Sequence, residues 1–413
     1  MYEKVLLWAT PAFIALMLVE CVVARLRRRS VYRLADALTS VSLGALSTYV
    51  GVFARLLPFG IYVLAYRHAR LATLAADDWR VWLAGLLCYD FLYYWYHRLG
   101  HEVNILWAAH VVHHQSEEYN LSTALRQTSS SYLLSWVFYL PMALAGFPPE
   151  LFLAVSLVDL LYQFWIHTEQ IGSLGVFDRI FASPSNHRVH HAVNDGYLDR
   201  NYGGILILWD RLFGTFQPEL AAVRCVYGTR DPLRSWNPLW ANLHTYAALL
   251  RDSVHARAWA DKLRVLLRRP GWRPADVAAR FPKPEFRLPL AKYAPPLPRA
   301  LGLYCLAQFI VVLGLGSHFL ALEPGLGRPA ALAYLGALVA SLWIVGGLAE
   351  GRAGFARLEA LRLVLVAGLA LGLGRTVADG AASLAVPVAV GACVAMGLWL
   401  YVAGRSLPAA ATT

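Results

Sequence analysis

The chain has 413 residues, of which 58% are hydrophobic and only 15% charged, and its mean hydropathy is +0.47. A soluble protein of this length could not bury so much apolar surface, so the composition excludes a soluble globular enzyme. The formal net charge is +11, but basic residues flank apolar runs, as in RLRRR at 25–29. That pattern is typical of membrane orientation and of attraction to anionic headgroups, and it argues against nucleic acid binding.

Apolar runs of the length that a bilayer requires occur in both halves of the chain. In chain order they cover 5–24, 38–64, 79–96, 131–147, 149–166, 300–322, 329–349, 358–373 and 384–403. The first run is interpreted as an uncleaved anchor, and Arg55 and Pro58 predict a kink or an interfacial segment in the second. We therefore predict an all-α integral membrane protein.

Four segments follow from these runs. Anchor helices are expected over 1–78, a histidine-rich catalytic domain over 79–275, a Pro-rich linker over 276–299 and further membrane helices over 300–413. If the arginines at 25–33 face the cytosol, the alternation of spans brings every histidine motif to that same side. The expected architecture is a helical transmembrane bundle with a cytosolic-side histidine-box cap, in a bacterial inner membrane or the endoplasmic reticulum.

Nine of the 13 histidines lie in four tight groups. These are HRLGH with His97 and His101, HVVHH with His110, His113 and His114, the single His167, and HRVHH with His187, His190 and His191. On a helix, residues four apart share one face, so the first motif is suited to two ligands of one metal ion. In each HxxHH motif, the first and fourth residues are expected to share a face, with the fifth reaching a neighbouring ion.

Eight or nine imidazoles exceed what one ion accepts, so the motifs predict two metal ions. Nitrogen ligands alone suit zinc, iron, copper or nickel. The five cysteines are scattered and form no CxxC, which argues against a structural zinc site. Iron with open positions for O2 is the preferred interpretation.

Three other residues are candidates for supporting roles. Asp90 lies on one helical stripe with Tyr94, His97 and His101, and is predicted to accept a hydrogen bond from a ligand imidazole. Asn186 precedes the last motif and is a second such candidate, whereas Glu102 follows His101 and could bind a cofactor.

Two further segments are informative without revealing chemistry. In NYGGILILWDRLFGTF (201–216) the glycine pair predicts close backbone approach. Tryptophans among basic residues in WNPLWANLHTY and in 261–274 predict interfacial anchors, although a Trp-rich core is an equal alternative.

The order HRLGH, HVVHH, HRVHH resembles the fatty acid hydroxylase and sterol desaturase superfamily, especially the branch of alkylglycerol monooxygenase and its bacterial relatives. The resemblance covers about residues 80–275 and includes QFWIHTEQIG, which contains His167. It implies that the nine histidines hold two iron ions for O2-dependent hydroxylation of a lipid. The C–H bond next to the ether oxygen of an alkylglycerol is one position that the resemblance implies.

The resemblance also bears on the source of electrons. The sequence has no HPGG-type haem segment, so electrons are expected from a separate donor protein or from a reduced pterin such as tetrahydrobiopterin. Glu102 is a candidate for the pterin, because a carboxylate can accept two hydrogen bonds from its amino-pyrimidinone edge.

Two alternatives stay open. The first is a desaturase or hydroxylase of sterols, carotenoids or fatty acyl chains within the same superfamily. The second is a histidine-rich metal transporter, which is disfavoured because transporters place their ionisable residues near mid-membrane. The sequence does not predict an oligomeric state.

Overall fold

A computed structural model of the chain describes residues 2–54, 56–376 and 381–404. Those residues form α-helices joined by loops and by two short 3-10 turns. Within the described ranges there is no β-strand, only two isolated bridges that pair Phe181 with Leu206 and Ala192 with Tyr227. The predicted all-α class is confirmed.

The helices fall into two compact units. The first comprises Met1–Leu233 and Trp240–Lys292, and the second comprises Arg234–Leu239 and Tyr293–Thr413. The early helices of the first unit are α1 (Tyr2–Leu26), α2 (Leu34–Ala54), α3 (Leu56–Ala69), α4 (Trp79–Glu102), α5 (Asn104–His114), α6 (Leu121–Ala124), α7 (Tyr132–Ala145) and α8 (Pro149–Trp165). They are followed by α9 (Pro184–His191), α10 (Leu208–Leu212), α11 (Pro238–His255), α12 (Trp259–Leu267) and α13 (Ala275–Arg280). The second unit contains α14 (Arg299–Leu322), α15 (Arg328–Ala349), α16 (Ala353–Thr376) and α17 (Ala381–Gly404).

Four segments of the described chain are long and apolar enough to cross a bilayer: Leu34–Ala54, Arg299–Gly325, Arg328–Ala349 and Pro387–Gly404. The prediction of an integral membrane protein is confirmed by these segments. The predicted second run is divided between α2, which ends at Ala54, and α3, which begins at Leu56, and the predicted kink at Arg55 lies outside the described residues.

The other predicted runs are helical but fall short of those criteria. α4 has 24 residues, and its many tyrosines and tryptophans lower its hydropathy. α7 and α8 form the predicted hairpin, but with 14 and 17 residues they rise about 21 and 26 Å, less than the roughly 30 Å of a hydrocarbon core. Gly146 ends α7 with a φ of 100°, and a Cβ there would lie 2.0 Å from the carbonyl oxygen of Ala72.

An aromatic core fixes α4 against its neighbours. Tyr62 of α3, Tyr89 of α4 and Tyr139 of α7 are buried together with Leu151 of α8. Tyr89 stacks on Tyr139 with ring centroids 4.8 Å apart. Because α4 ends in the first histidine motif, this core positions the start of the functional site.

The basic end of α1 lies beside the histidine-bearing segments. Arg27 donates to the carbonyl oxygen of Gln170 at 2.6 Å and Arg29 to that of Glu169 at 3.3 Å, just after His167. Arg33 pairs with Glu117 at 3.1 Å and also with Glu118. Hydrogen bonds and ion pairs therefore hold the segment that follows α1 to the histidine-bearing segments.

The second unit encloses a buried polar network. The Tyr304 hydroxyl donates to Glu359 at 2.6 Å, Arg362 pairs with the same carboxylate, and Gln308 bridges the tyrosine and the arginine. Because Glu359 and Arg362, the two charges of this network, are paired, the network fixes α14 against α16.

Candidate metal centre

Four helices end at one place in the first unit, and each ends at or next to histidines. α4 carries His97 and His101 in its last turns, and α5 ends with the HVVHH motif after a one-residue break at Val103. His167 follows the end of α8, and α9 ends with the HRVHH motif. Ser183 caps α9 and Pro184 occupies its first turn, so the local sequence starts this short helix where the histidines need it.

All nine predicted histidines meet there, in two adjacent groups. The first histidine group is His97, His101, His110, His114 and His190, and the second histidine group is His113, His167, His187 and His191. Within each group the ligand nitrogens lie within 4.8 Å of one another. The other histidines of the described chain lie outside both groups.

The two HxxHH motifs divide differently from the prediction. In each motif the first and fifth residues join one group and the fourth joins the other, as with His110 and His114 against His113. Residues i and i+4 are offset by about 40° around a helix, whereas i+3 points to the other side of the first residue. The sequence rule that paired the first and fourth residues was wrong.

The Nε2 atoms converge within each group. In the first group His97 and His110 approach to 3.1 Å, and His110 and His114 to 3.0 Å. In the second group His167 lies 3.2 Å from His113 and 3.0 Å from His187. Two nitrogens bound at about 2.1 Å to one ion at a right angle are about 3.0 Å apart, so these separations fit a shared ion.

The Nδ1 atoms of several rings point away from the centre to fixed acceptors. His97 Nδ1 lies 2.8 Å from the Tyr202 carbonyl oxygen and His190 Nδ1 lies 2.9 Å from that of Arg200. In the second group His113 Nδ1 approaches the Arg126 carbonyl and His167 Nδ1 approaches that of Gln163. A carbonyl can only accept, so each Nδ1 carries the proton and each Nε2 presents its lone pair inward.

Burial favours the neutral form of most of these imidazoles. It lowers the pKa of His187 and His190 well below the usual range, and neighbouring imidazoles lower these values further. The pKa of His113 is lowered to about 4, chiefly by burial. Neutral rings are the form that binds metals. The C-terminal ends of four helices also carry partial negative charge, which favours a cation between them.

Two buried nitrogens make the fit to metal ions specific. The Nε2 atoms of His101 and His190 are buried and have no hydrogen-bond partner. Buried polar atoms are normally paired, so an inward lone pair without a donor indicates a site built for an electron-pair acceptor. The nitrogen-only donor set of each group fits iron, among other first-row metals.

Asp90 and Asn186 have other partners than the sequence predicted. The Asp90 carboxylate accepts hydrogen bonds from the backbone of Ile205 and Leu206 and from the Trp209 indole, rather than from an imidazole. The Asn186 side chain donates to the carbonyl oxygens of Asp178 and Phe181. Through these hydrogen bonds, both residues stabilise the segments around the centre rather than the imidazoles themselves.

Glu102 lies at the rim beside His101. Its carboxylate pairs with Arg98 at 3.2 Å and with Arg269 at 3.5 Å, and its side chain is about one-fifth exposed. Trp107 is close by, with its ring centroid 5.0 Å from that of His101. This rim combines a carboxylate, two guanidinium groups and an aromatic face.

The loop 199–202 is the feature that the sequence did not reveal as a support of the centre. Asp199 Oδ1 lies 3.5 Å from His101 Nδ1, and the carbonyls of Arg200 and Tyr202 accept from two more rings of the first group. Asp199 and Asn201 adopt left-handed conformations with φ of 57° and 58°. The NYGG sequence signalled an unusual backbone, but not which carbonyls it would aim at the histidines.

Comparisons with known proteins agree with this geometry. The family model of the fatty acid hydroxylases matches residues 82–215, which include all nine histidines. Alkylglycerol monooxygenase of Homo sapiens is 38% identical over 360 residues, covering 86% of this chain and 80% of that protein. The chain belongs to the fatty acid hydroxylase family.

Two further relatives are also named as enzymes that oxidise lipids. Alkylglycerol monooxygenase of Danio rerio is 37% identical over 87% of the chain and 80% of its own length. An ornithine lipid hydroxylase of Rhizobium tropici is 32% identical over 32% of the chain and 40% of its own length. No solved structure matches the chain. The protein is a membrane oxidoreductase of the monooxygenase and hydroxylase type that acts on lipids, and its histidine groups are consistent with iron binding.

Proposed function

We propose that each histidine group would hold one iron ion and that the protein hydroxylates an alkyl C–H bond next to the ether oxygen of an alkylglycerol lipid. The observation that carries this proposal is the division of nine imidazoles, seven buried and two partly buried, into two adjacent groups with inward lone pairs. The similarity to alkylglycerol monooxygenases over most of the chain favours the ether lipid. When bound, the iron pair supplies the activation of O2.

The reaction balances with one O2 and two electrons. One oxygen atom enters the C–H bond beside the ether oxygen, and the other leaves as water with two protons. The resulting hemiacetal breaks its bond to the former ether oxygen, giving an aldehyde and a free glycerol hydroxyl. The electrons come from a separate donor, either a protein or a reduced pterin.

The chain's own residues prepare the site for this reaction. Burial favours the neutral form of imidazoles such as His97 and His167, and backbone carbonyls that accept from Nδ1 fix the orientation of these rings. Asp90 and Asn186 act as positioning residues. Asp90 holds the loop at Ile205, just after the Tyr202 carbonyl, and Asn186 holds the segment that precedes the last motif. We assign the chemistry to residues 79–275, with anchors over 1–78, a linker over 276–299 and further membrane helices over 300–413.

The centre is proposed to face the cytosol, in a bacterial inner membrane or the endoplasmic reticulum. The support is the contact of Arg27 and Arg29 with the segment after His167, because clustered arginines mark the cytosolic side of a span.

Oxygen uptake by the purified protein in lipid nanodiscs tests the substrate. With a reduced pterin present, we expect uptake and aldehyde formation with a 1-O-alkylglycerol, and label from 18O2 in the aldehyde trapped as it forms. The matched 1-acylglycerol, a sterol and a free fatty acid serve as rival substrates. Turnover of one of these in preference to the ether lipid would refute the proposed substrate but keep the family chemistry.

The metal proposal is tested in parallel by His113→Ala. We expect this variant to lose activity and part of the bound iron, whereas His318→Ala, an exposed histidine of the second unit, keeps both. Anaerobic purification followed by metal analysis distinguishes iron from zinc.

Glu102→Gln tests the cofactor proposal. Because an amide presents one acceptor in place of two, the apparent affinity for reduced pterin should fall about tenfold. Iron content is the control, since Glu102 belongs to neither histidine group. An unchanged pterin affinity would remove Glu102 from the cofactor site.

A further inference from the structure

Helices α11 and α12 carry a row of exposed apolar side chains. On α11, Trp240, Leu243, Leu250 and Val254 recur at positions that share one helical face. On α12, Trp259, Leu263 and Leu267 recur every four residues, and these seven side chains are 44–83% exposed. We call these seven residues the docking surface. Neither helix is among the spanning candidates, so crossing the bilayer does not account for their exposure.

The opposite faces of both helices are fixed to the histidine helix α5. Leu249 of α11 and Val265 of α12 are buried against Ala108 of α5. The Asn104 side chain donates to the Val265 carbonyl at 2.8 Å, and the Asn104 backbone N–H donates to that of Arg268 at 2.9 Å. The docking surface is therefore rigidly connected to α5, which supplies three of the nine histidines.

A spanning helix brings α11 close to the bilayer. Leu43 lies on α2, one of the spanning candidates, and is buried in one cluster with Val112 of α5 and Ala241 of α11. Because Leu43 is within the spanning helix itself, α11 packs against a spanning candidate and does not lie far out in solvent.

Cations surround the apolar row. Residues 251–280 contain eight arginines and lysines against three aspartates, an excess of five positive charges. The three aspartates already have partners: Asp252 pairs with Arg273, Asp261 pairs with Arg264, and Asp276 accepts from the Arg257 backbone. Lys262 lies 5.5 Å above the Trp259 ring and donates to two carbonyls at the end of α11.

We infer that the docking surface lies in the membrane interface and binds anionic phospholipids. An amphipathic helix with tryptophan and leucine on one face and cations along its edges inserts at the boundary of headgroups and acyl chains. Each cation near an anionic leaflet adds attraction worth roughly a fivefold change in binding. A second copy of this chain would bring a like charge to the same rim, so lipid is the favoured occupant.

This contact has a consequence for the metal centre. Since α11 and α12 are fixed to α5, seating them in the interface holds the second histidine motif at the level where lipid chains begin. The inference needs neither the iron pair nor the ether-lipid substrate, and its test reads lipid contact instead of turnover.

Photo-crosslinking of the full-length protein in nanodiscs tests the inference. p-Benzoylphenylalanine replaces Leu263, which is 64% exposed on the docking surface. The control replaces Asp195, whose side chain is 88% exposed and which belongs to neither α11 nor α12. In discs of mixed phosphatidylcholine and phosphatidylglycerol, we expect lipid adducts at position 263, enriched in phosphatidylglycerol over its share of the disc, and at least fivefold fewer at position 195.

A charge variant tests the headgroup preference. Combining Arg257→Gln, Arg264→Gln and Arg268→Gln should lower the phosphatidylglycerol adducts at position 263 at least threefold and leave the phosphatidylcholine adducts unchanged. Equal lipid adducts at positions 263 and 195, or adducts at 263 with a second copy of the chain, would overturn the docking. Adducts at 263 without phosphatidylglycerol enrichment would overturn the anionic preference.

Discussion

The two histidine groups are adjacent and chemically alike, but their rings are oriented by different means. In the second group, His167, which follows α8, donates to the Gln163 carbonyl in the last turn of that helix, and His113 donates to the Arg126 carbonyl next to a short helix. In the first group, three rings depend on the loop 199–202. One group therefore derives its geometry largely from regular helices, and the other from an irregular loop.

That loop is stabilised by buried side chains. Asn201 donates to the carbonyls of Asn186 and Gln217 and accepts from the Gln217 backbone. Asp210 accepts from the backbone of Tyr202 and Gly203 at 2.7 Å each. The comparison teaches that the first group is the more sensitive to changes outside its own histidines.

The largest effect is expected from two single variants, each of which removes one imidazole from a different histidine group. His190→Ala and His187→Ala change two residues of the same short helix, in the first and second group respectively. Each should lower bound iron by about half and lower activity by more than about a hundredfold. The reason is that losing a metal ligand weakens metal binding more than losing a residue that hydrogen-bonds to a ligand.

Metal analysis and turnover on the same preparations provide the measurement, with His255→Ala as a control outside both groups. If either variant lost all its iron, the two groups would be one coupled site and the comparison would fail.

Asn201→Ala should be the next most severe change. It removes three hydrogen bonds and leaves alanine in a left-handed conformation that asparagine adopts more readily. We expect iron affinity in the first group to fall about thirtyfold, within the range for lost outer partners, while the second group stays loaded.

Asn201→Gly separates the two causes, because glycine adopts φ near 58° without strain but makes none of the side-chain bonds. Iron titration monitored by Mössbauer spectroscopy distinguishes the groups. Equal loss from both groups in Asn201→Ala would show that the loop does not act on the first group alone.

The sequence predicted the nine histidines, the all-α class and the membrane location, because spacing and apolar length are local properties of the chain. It did not predict which ring joins which group, because helical geometry separates the i+3 and i+4 positions of HxxHH, but only the placement of the neighbouring helices decides which group each position faces. Nor did it identify the carbonyls of Arg200 and Tyr202 as acceptors, since every residue has a carbonyl. Asp90 was correctly noticed as an unusual charge in an apolar run, but its partners come from a loop more than a hundred residues later.

Arg126→Gln should affect the second group instead of the first. The Arg126 side chain is only 1% exposed, and its Nε donates to the Val112 carbonyl at 2.8 Å near the end of α5. Losing this charge-assisted hydrogen bond leaves the buried carbonyl with only the Gln115 N–H at 3.4 Å and costs about 1–3 kcal/mol of folding stability. The Arg126 carbonyl also fixes His113, so we expect about tenfold weaker iron binding in the second group.

Thermal unfolding in detergent and the same iron titration check this prediction. The pattern should be the reverse of that in Asn201→Ala. Loss confined to the first group would contradict the assignment of Arg126 to the second.

The smallest effect is expected from Gly204→Ala, which tests how tightly the loop packs on the membrane helices. A β-carbon there would lie 2.5 Å from Asp159 Oδ1 and 2.8 Å from the Tyr93 ring, so the loop or these side chains must shift. Overpacking of this kind costs about 1–3 kcal/mol, but part of it is relieved by side-chain movement. We expect about threefold weaker iron binding in the first group, with none in Gly196→Ala, where a β-carbon meets no atom within 4 Å. Equal behaviour of the two variants would mean that the glycine pair of the NYGG sequence does not set the position of the Tyr202 carbonyl.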